Sequence, residues 1–358
     1  MAQGNLEVRD PVPRLRRLEQ LERYRPDDGT RPFSASHQEI QAGWTTDIYF
    51  IRTLEILEGL GLADTPVEAE VFARGGGILA GVEEVRRLLA PLGVEVEALG
   101  EGEPFQPQEP VLRIRGPYSR FGPYETAVLG ILASSSGWAT AARRCKEAAG
   151  EKLMICFGAR HVHPAVAPVM ERAALVGGAD GASCVLAALL AGRKPSGTVP
   201  HAAILIAGDT VEVARAYDRF MPPDAPRIIL IDTFHDEAEE ALRVAEALGE
   251  RLQGVRLDTP DERGGVTPAL VREVRARLDQ AGHRHVRLLV SGGLTPEKIA
   301  QLSAAGADAF GVGSYIAGAS PIDMTMDLKV VAGRPVAKRG RIPGLRPSER
   351  LRRILPPE

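Results

Sequence analysis

The hydrophobic positions of this chain change rhythm near its middle. Over residues 47–60, Ile48, Ile51, Leu54, Ile56 and Leu57 recur at helical spacing. Residues 67–73 then alternate Val67, Ala69 and Val71 with Glu68 and Glu70, which predicts a half-exposed strand. A helix is expected over 82–92. Residues 94–99 and 111–114 alternate again, on either side of the Gly/Pro-rich stretch 100–110. This is the pattern of an antiparallel sheet in a mixed α+β domain. The polar residues ahead of it, with Arg14, Arg16, Arg17 and a turn at Pro26-Asp27-Asp28-Gly29, predict an arm or crossing helix whose arginines face solvent or a second subunit.

From residue 153 onward, strand and helix alternate. Strands are expected at 153–157, 196–199, 227–232, 255–258, 286–291 and 309–313. Helices are expected at 165–176, from 202, and at 237–248, 268–280 and 296–305. Thr267-Pro268 and Thr295-Pro296 each set a capping threonine before a proline at the first helical position. Such alternation makes a parallel sheet, and no dinucleotide fingerprint directs it toward an open one. Residues 324–331 and 334–341 pattern as a strand pair returning to the first domain. The expected class is α/β: an incomplete (β/α) barrel over 151–320, and an α+β sandwich built from 1–150 and the C-terminal segment 321–358.

Composition narrows the function classes. Over 358 residues the net charge is −3, with 44% hydrophobic and 25% charged residues, as in an ordinary soluble enzyme. There is no global attraction to nucleic acid or to a membrane surface. Nor is there an apolar run of about 18 residues or an export signal, so a cytoplasmic enzyme is expected. Cys145, Cys156 and Cys184 fit neither a disulfide framework nor a metal knuckle.

In a parallel barrel the carboxyl ends of the strands point at the active site. Here those ends carry Phe157-Gly158-Ala159-Arg160-His161, Pro200-His201, Asp232-Thr233, Arg256-Leu257-Asp258-Thr259, Ser291-Gly292-Gly293 and Gly311-Val312-Gly313-Ser314. Glycines after the last two strands suit a phosphate cradle, because no Cβ blocks approach to the backbone N–H groups. The set matches a phosphorylated sugar joined to a flat, anionic ring. Each residue also has a plainer use. Asp232 and Asp258 could cap helices, Phe157 could be core, and His201 could be a structural strand-end residue. His161 and His163 have zinc-pair spacing but no accompanying carboxylate motif, and Gly75-Gly76-Gly77 fits no nucleotide loop. No resident metal is expected on the protein itself.

The segments Thr46-Asp47-Ile48-Tyr49, Phe157-Gly158-Ala159-Arg160, Ser196-Gly197-Thr198-Val199-Pro200-His201, Asp232-Thr233-Phe234, Arg256-Leu257-Asp258-Thr259, Ser291-Gly292-Gly293 and Gly311-Val312-Gly313 occur in this order. Together they resemble the nicotinate phosphoribosyltransferases, in particular the shorter archaeal type among the type II phosphoribosyltransferases. The resemblance implies transfer of phosphoribose from phosphoribosyl pyrophosphate (PRPP) to nicotinate in NAD biosynthesis, with Mg²⁺ and with ATP as co-substrate. It implies that Phe157 and the partner subunit's Tyr49 sandwich the ring, in a homodimer or higher oligomer with a shared site. Arg160 would hold the ring substituent or phosphates, and Arg256 and Asp258 the phosphoribosyl group. Asp232 would stand near the ribose or its Mg²⁺. Ser291, Gly292, Gly293, Gly311, Gly313 and Ser314 would receive the 5′-phosphate, and His201 would be the residue phosphorylated by ATP.

Asp180, in Gly178-Ala179-Asp180-Gly181, departs from the nicotinate pattern. It falls where related nicotinamide enzymes place an aspartate, which would accept from an amide and repel a carboxylate. Rival readings are a nicotinamide or quinolinate phosphoribosyltransferase, a non-catalytic pyridine-nucleotide or phosphosugar binder, and an unrelated phosphosugar barrel. Quinolinate, a dicarboxylate, calls for a denser set of cations than these strand ends supply.

Overall fold

The structure is a computed structural model and describes residues 12–23 and 33–357. The expected turn Pro26–Gly29 lies outside the described residues. The chain divides into two compact units, one of residues 1–136 and 321–358, the other of 137–320. The division falls inside the helix Glu125–Ala149, which the sequence pattern had not singled out.

The first unit is built on a six-stranded antiparallel sheet in the order Arg334–Pro335, Met324–Val331, Pro66–Ala73, Pro110–Pro117, Glu95–Ala98, Arg352–Leu355. Strand Met324–Val331 pairs along Pro66–Ala73, so the C-terminal segment is part of this sheet. Of the expected second strand at 334–341, only Arg334–Pro335 forms a ladder. One face packs the apolar residues Val67, Ala69, Val71, Val96, Leu112 and Ile114 against the helix Val82–Leu89, which buries Val82, Val85, Leu88 and Leu89. The other face differs from expectation. Glu70, expected on a half-exposed strand, is 1% exposed. It pairs with Arg113 on the adjacent strand at 2.7 Å and accepts from the backbone N–H of Arg346, so the C-terminal segment covers it. In the arm, Arg17 pairs with Glu58 at 2.7 Å.

The second unit is built on a six-stranded parallel sheet in the order Gly181–Ala182, Leu153–Cys156, Ala309–Val312, Arg287–Ser291, Gly254–Leu257, Ile228–Leu230. The ladder does not close on itself. The expected strand at 196–199 has no ladder, only one backbone bond from Ser196 N–H to Ala182 O at 2.8 Å. The helices Glu237–Leu248, Pro268–Gln280 and Pro296–Ala305 begin and end where the pattern and caps placed them. Thr267 and Thr295 accept from the N–H of Leu270 and Lys298, the N3 caps their spacing implies. These helices and the strands enclose a core of Ile229, Val255, Leu257, Leu288, Val290, Phe310 and Val312. No helix among the described residues is long and apolar enough to cross a membrane.

Candidate active site

Because the strands run parallel, their carboxyl ends gather at one edge of the sheet. Asp232 follows Ile228–Leu230, and its carboxylate is 1% exposed. Its Oδ2 lies 3.2 Å from Nε2 of His201, the first residue of the helix His201–Ala207. Burial pushes the Asp232 pKa up, His201 pulls it down, and Asp258 adds to the rise. Asp232 Oδ1, Thr233 Oγ1 and Arg256 Nε are buried without a hydrogen-bond partner. Orphaned polar atoms are costly in a folded interior, so three close in sequence position to strand ends point to a ligand that completes them.

Arg256 lies one strand over. Its Nη1 donates to Thr198 Oγ1 at 2.7 Å and its Nη2 to Asp258 Oδ2 at 3.3 Å. Burial lowers its pKa, Asp258 and Asp232 oppose that, and Arg160 reinforces it. The other oxygen of Asp258 accepts the Ser291 hydroxyl proton at 3.0 Å. Asp258 is thus gripped from two strands. Gly292 follows at φ +90°, and a Cβ there would stand 3.1 Å from Asp258 Oδ1. Gly293, at φ +57°, turns toward Lys298, whose Nζ lies 3.7 Å from where a Cβ would be. Lys298 was not singled out in the sequence, although it stands in the first turn after the glycine loop.

A second group forms around the strand Leu153–Cys156. The N–H of Phe157 bonds Val312 O at 2.8 Å, and its ring lies on Gly311. A Cβ on Gly311 would run into the Phe157 ring, so this glycine is the seat of that ring. A Cβ on Gly313 would come within 2.9 Å of His161 Nε2. Ser314 opens the short helix Ser314–Ala317, and Arg160 stands exposed in the turn after Phe157.

Two expected residues belong to neither of these groups. Tyr49 belongs to the first unit, 53% exposed, with its ring 4.2 Å from that of Phe50. Asp180 stands on the amino side of its strand, away from the strand ends that carry the other residues. Its Oδ2 accepts from Met154 N–H at 2.8 Å and from Lys146 Nζ at 2.9 Å. Asp308 does the same on the same sheet, accepting from Leu288 N–H at 2.8 Å. Both follow a left-handed glycine in Gly-Ala-Asp, Gly178 and Gly306, that ends the preceding helix. Asp180 is therefore a helix-to-strand connector, and the amide-binding role expected of it has no geometric basis.

The model of the quinolinate phosphoribosyl transferase N-terminal domain matches residues 47–136, and that of the C-terminal domain matches residues 138–327. The chain belongs to this family. It is thereby an enzyme of the phosphoribosyltransferase type in pyridine nucleotide synthesis. Family members under both names are similar to it. A crystal structure of nicotinate-nucleotide pyrophosphorylase from Pyrococcus furiosus is 48% identical with a TM-score of 0.84, covering 87% of this chain and 81% of that one. A nicotinate phosphoribosyltransferase of Mycobacterium tuberculosis is 31% identical over 83% of this chain and 75% of its own length. A probable nicotinate-nucleotide pyrophosphorylase of Archaeoglobus fulgidus is 27% identical over 73% of this chain and 93% of its own.

Proposed function

We propose that the chain transfers the phosphoribosyl group of PRPP to the ring nitrogen of a pyridine carboxylate. The observation that carries this is the hydrogen-bonded set Arg256, Asp258 and Ser291, with the Asp232–His201 pair following the neighbouring strand, at one sheet edge that also carries an aromatic ring seated on Gly311. In this reading the pyridine stacks on Phe157 and its carboxylate meets Arg160. The backbone N–H groups of Gly292, Gly293, Gly313 and Ser314, with Lys298 beside them, receive the 5′-phosphate. Arg256 and Asp258 grip the ribose. The ring nitrogen attacks C1′ while the C1′–O bond to pyrophosphate breaks, and pyrophosphate leaves with the bonding pair. Positive charge that develops on the sugar faces the carboxylates of Asp232 and Asp258.

The orphaned Oδ1 of Asp232 fits a hard divalent cation, and Mg²⁺ held there would offset charge on the leaving pyrophosphate. ATP is assigned to His201: with Nε2 engaged by Asp232, Nδ1 is the nitrogen left to accept a phosphoryl group. Tyr49 of a second subunit closes the ring site in a homodimer.

Two acceptors are supported by different observations. The family models and the Pyrococcus and Archaeoglobus relatives favour quinolinate, more strongly than the Mycobacterium relative favours nicotinate. The site chemistry favours nicotinate. Arg256, bonded to Thr198 and Asp258 with only Nε open, is taken by the ribose in this reading, which leaves Arg160 as the exposed guanidinium among the strand-end residues, one cation for one carboxylate. Nicotinate is the acceptor the geometry supports best. Purified protein with PRPP and Mg²⁺, given nicotinate, nicotinamide or quinolinate with and without ATP, is expected to form nicotinate mononucleotide from nicotinate. Mononucleotide from quinolinate with carbon dioxide release reassigns the acceptor, and no product from any of the three removes the proposal. ADP release together with acid-labile phosphate on His201 tests the role of ATP.

A further inference from the structure

Glu171 lies in the helix Ala167–Gly177 and is 0% exposed. Both of its carboxylate oxygens are used. Oε1 accepts from Ala159 N–H at 3.1 Å and from the Ser183 hydroxyl at 2.8 Å. Oε2 accepts from Cys184 N–H at 2.7 Å. Ala159 lies between Phe157 and Arg160, and Ser183-Cys184 follow the neighbouring strand Gly181–Ala182. One buried carboxylate therefore ties together the loops that leave two adjacent strand ends. The preceding residue helps: a Cβ on Gly158 would come within 2.6 Å of Met170 Cε, so Met170 packs closely beneath the same loop.

We propose that Glu171 is a positioning residue that sets the pyridine-acceptor subsite by holding the Phe157–Arg160 loop against the Ser183-Cys184 loop. The inference rests on the acceptor reading above. A carboxylate suits this place because every group it faces is a donor, whereas an amide has one end that is itself a donor. Glu171→Gln keeps size and shape but sets its NH₂ against either Cys184 N–H or the Ala159–Ser183 pair. Ring stacking and the guanidinium contact both depend on the loop, so a small shift there weakens acceptor binding. Of the phosphate loops, Gly292-Gly293 follows a different strand, and only Gly313 borders the shifted loop through His161 and Phe157 O, so PRPP binding is expected to move much less than acceptor binding.

The test is steady-state kinetics of the full-length protein with its acceptor and PRPP varied separately, alongside thermal melting. Glu171→Gln is expected to raise the acceptor KM about tenfold or more while the PRPP KM stays within about twofold. Glu171→Asp keeps the charge but retracts it, and Ser183→Ala removes one donor; both are expected to raise the acceptor KM less, by about threefold, with PRPP KM unchanged. These two milder variants carry the test if Glu171→Gln does not fold. An acceptor KM that stays at the wild-type value in the folded variants, or PRPP and acceptor KM rising together, overturns the positioning role. Absence of any transfer by the wild-type protein instead overturns the acceptor reading itself.

Discussion

Two charge ladders on the antiparallel sheet and the charge cluster at the ends of the parallel sheet differ in how completely they are paired, even though Asp327 Oδ2 on the antiparallel sheet also lacks a hydrogen bond. On the antiparallel sheet of the first unit, Glu68–Arg115–Glu95 and Glu70–Arg113–Glu97 stand directly opposite one another across three strands. They close at 2.6 to 3.2 Å. Arg350 adds pairs to Glu109 and Glu103, which fasten the C-terminal segment. These charges satisfy one another. At the ends of the parallel sheet, by contrast, Asp232, Thr233 and Arg256 each keep a buried atom without a partner. A ladder that closes on itself contributes to folding; a cluster held open contributes to binding.

Four changes break or sharpen that contrast, from the largest effect down. Asp258→Asn removes the charge held between Arg256 and Ser291 and is expected to lower kcat/KM about a thousandfold with little change in melting temperature. A large loss of stability with activity retained per folded molecule would instead make Asp258 structural. Glu70→Ala should show the reverse. It leaves Arg113 buried without its main partner, and a loss of about 3–5 kcal/mol in denaturant unfolding is expected, with turnover of the folded fraction intact.

Gly311→Ala places a methyl into the Phe157 ring and is expected to lower acceptor kcat/KM roughly thirtyfold, with PRPP KM nearly unchanged. Equal losses toward both substrates would mean that the strand, rather than the ring, had moved. The smallest effect concerns Glu125 in the first unit, whose pKa burial and Asp327 push up to about 7, with Lys338 opposing. The folded protein then binds this proton more tightly than the unfolded chain. Stability is fully present below the ordinary carboxylate range and falls as pH rises toward about 7. Glu125→Gln should therefore stabilise by about 1–2 kcal/mol at pH 8 and by little at pH 5, measured by urea unfolding. A gain independent of pH would assign the effect to packing.

Much of the second unit was legible because its signals are local. The threonine-proline starts at 267 and 295 and the apolar runs ahead of the glycine loops are read within a few residues. The helix Glu125–Ala149 was missed because alanine, serine and glycine blur its apolar stripe over much of its length. The strand Gly181–Ala182 is too short to show a period, and the strand expected at 196–199 forms no ladder, with a single backbone bond from Ser196. The burial of Glu70 was hidden because its cover comes from Arg113 and Arg346, far along the chain. Asp180 was misread as a substrate contact, yet its clue was present: the same Gly-Ala-Asp recurs at Gly306-Ala307-Asp308 before another strand.

By itself the sequence determined the alternation of strand and helix, and with it the parallel sheet whose ends gather Phe157, Asp232, Asp258 and the glycine loops. That follows from period and chain direction, which are local. Only the tertiary structure decided which polar groups are already committed: Asp180 to Met154 and Lys146, Glu171 to two loops, Gly311 to the Phe157 ring. Those partners are set by which strands lie side by side and in what register, and hydrogen bonds between residues distant in sequence leave no periodic trace along the chain.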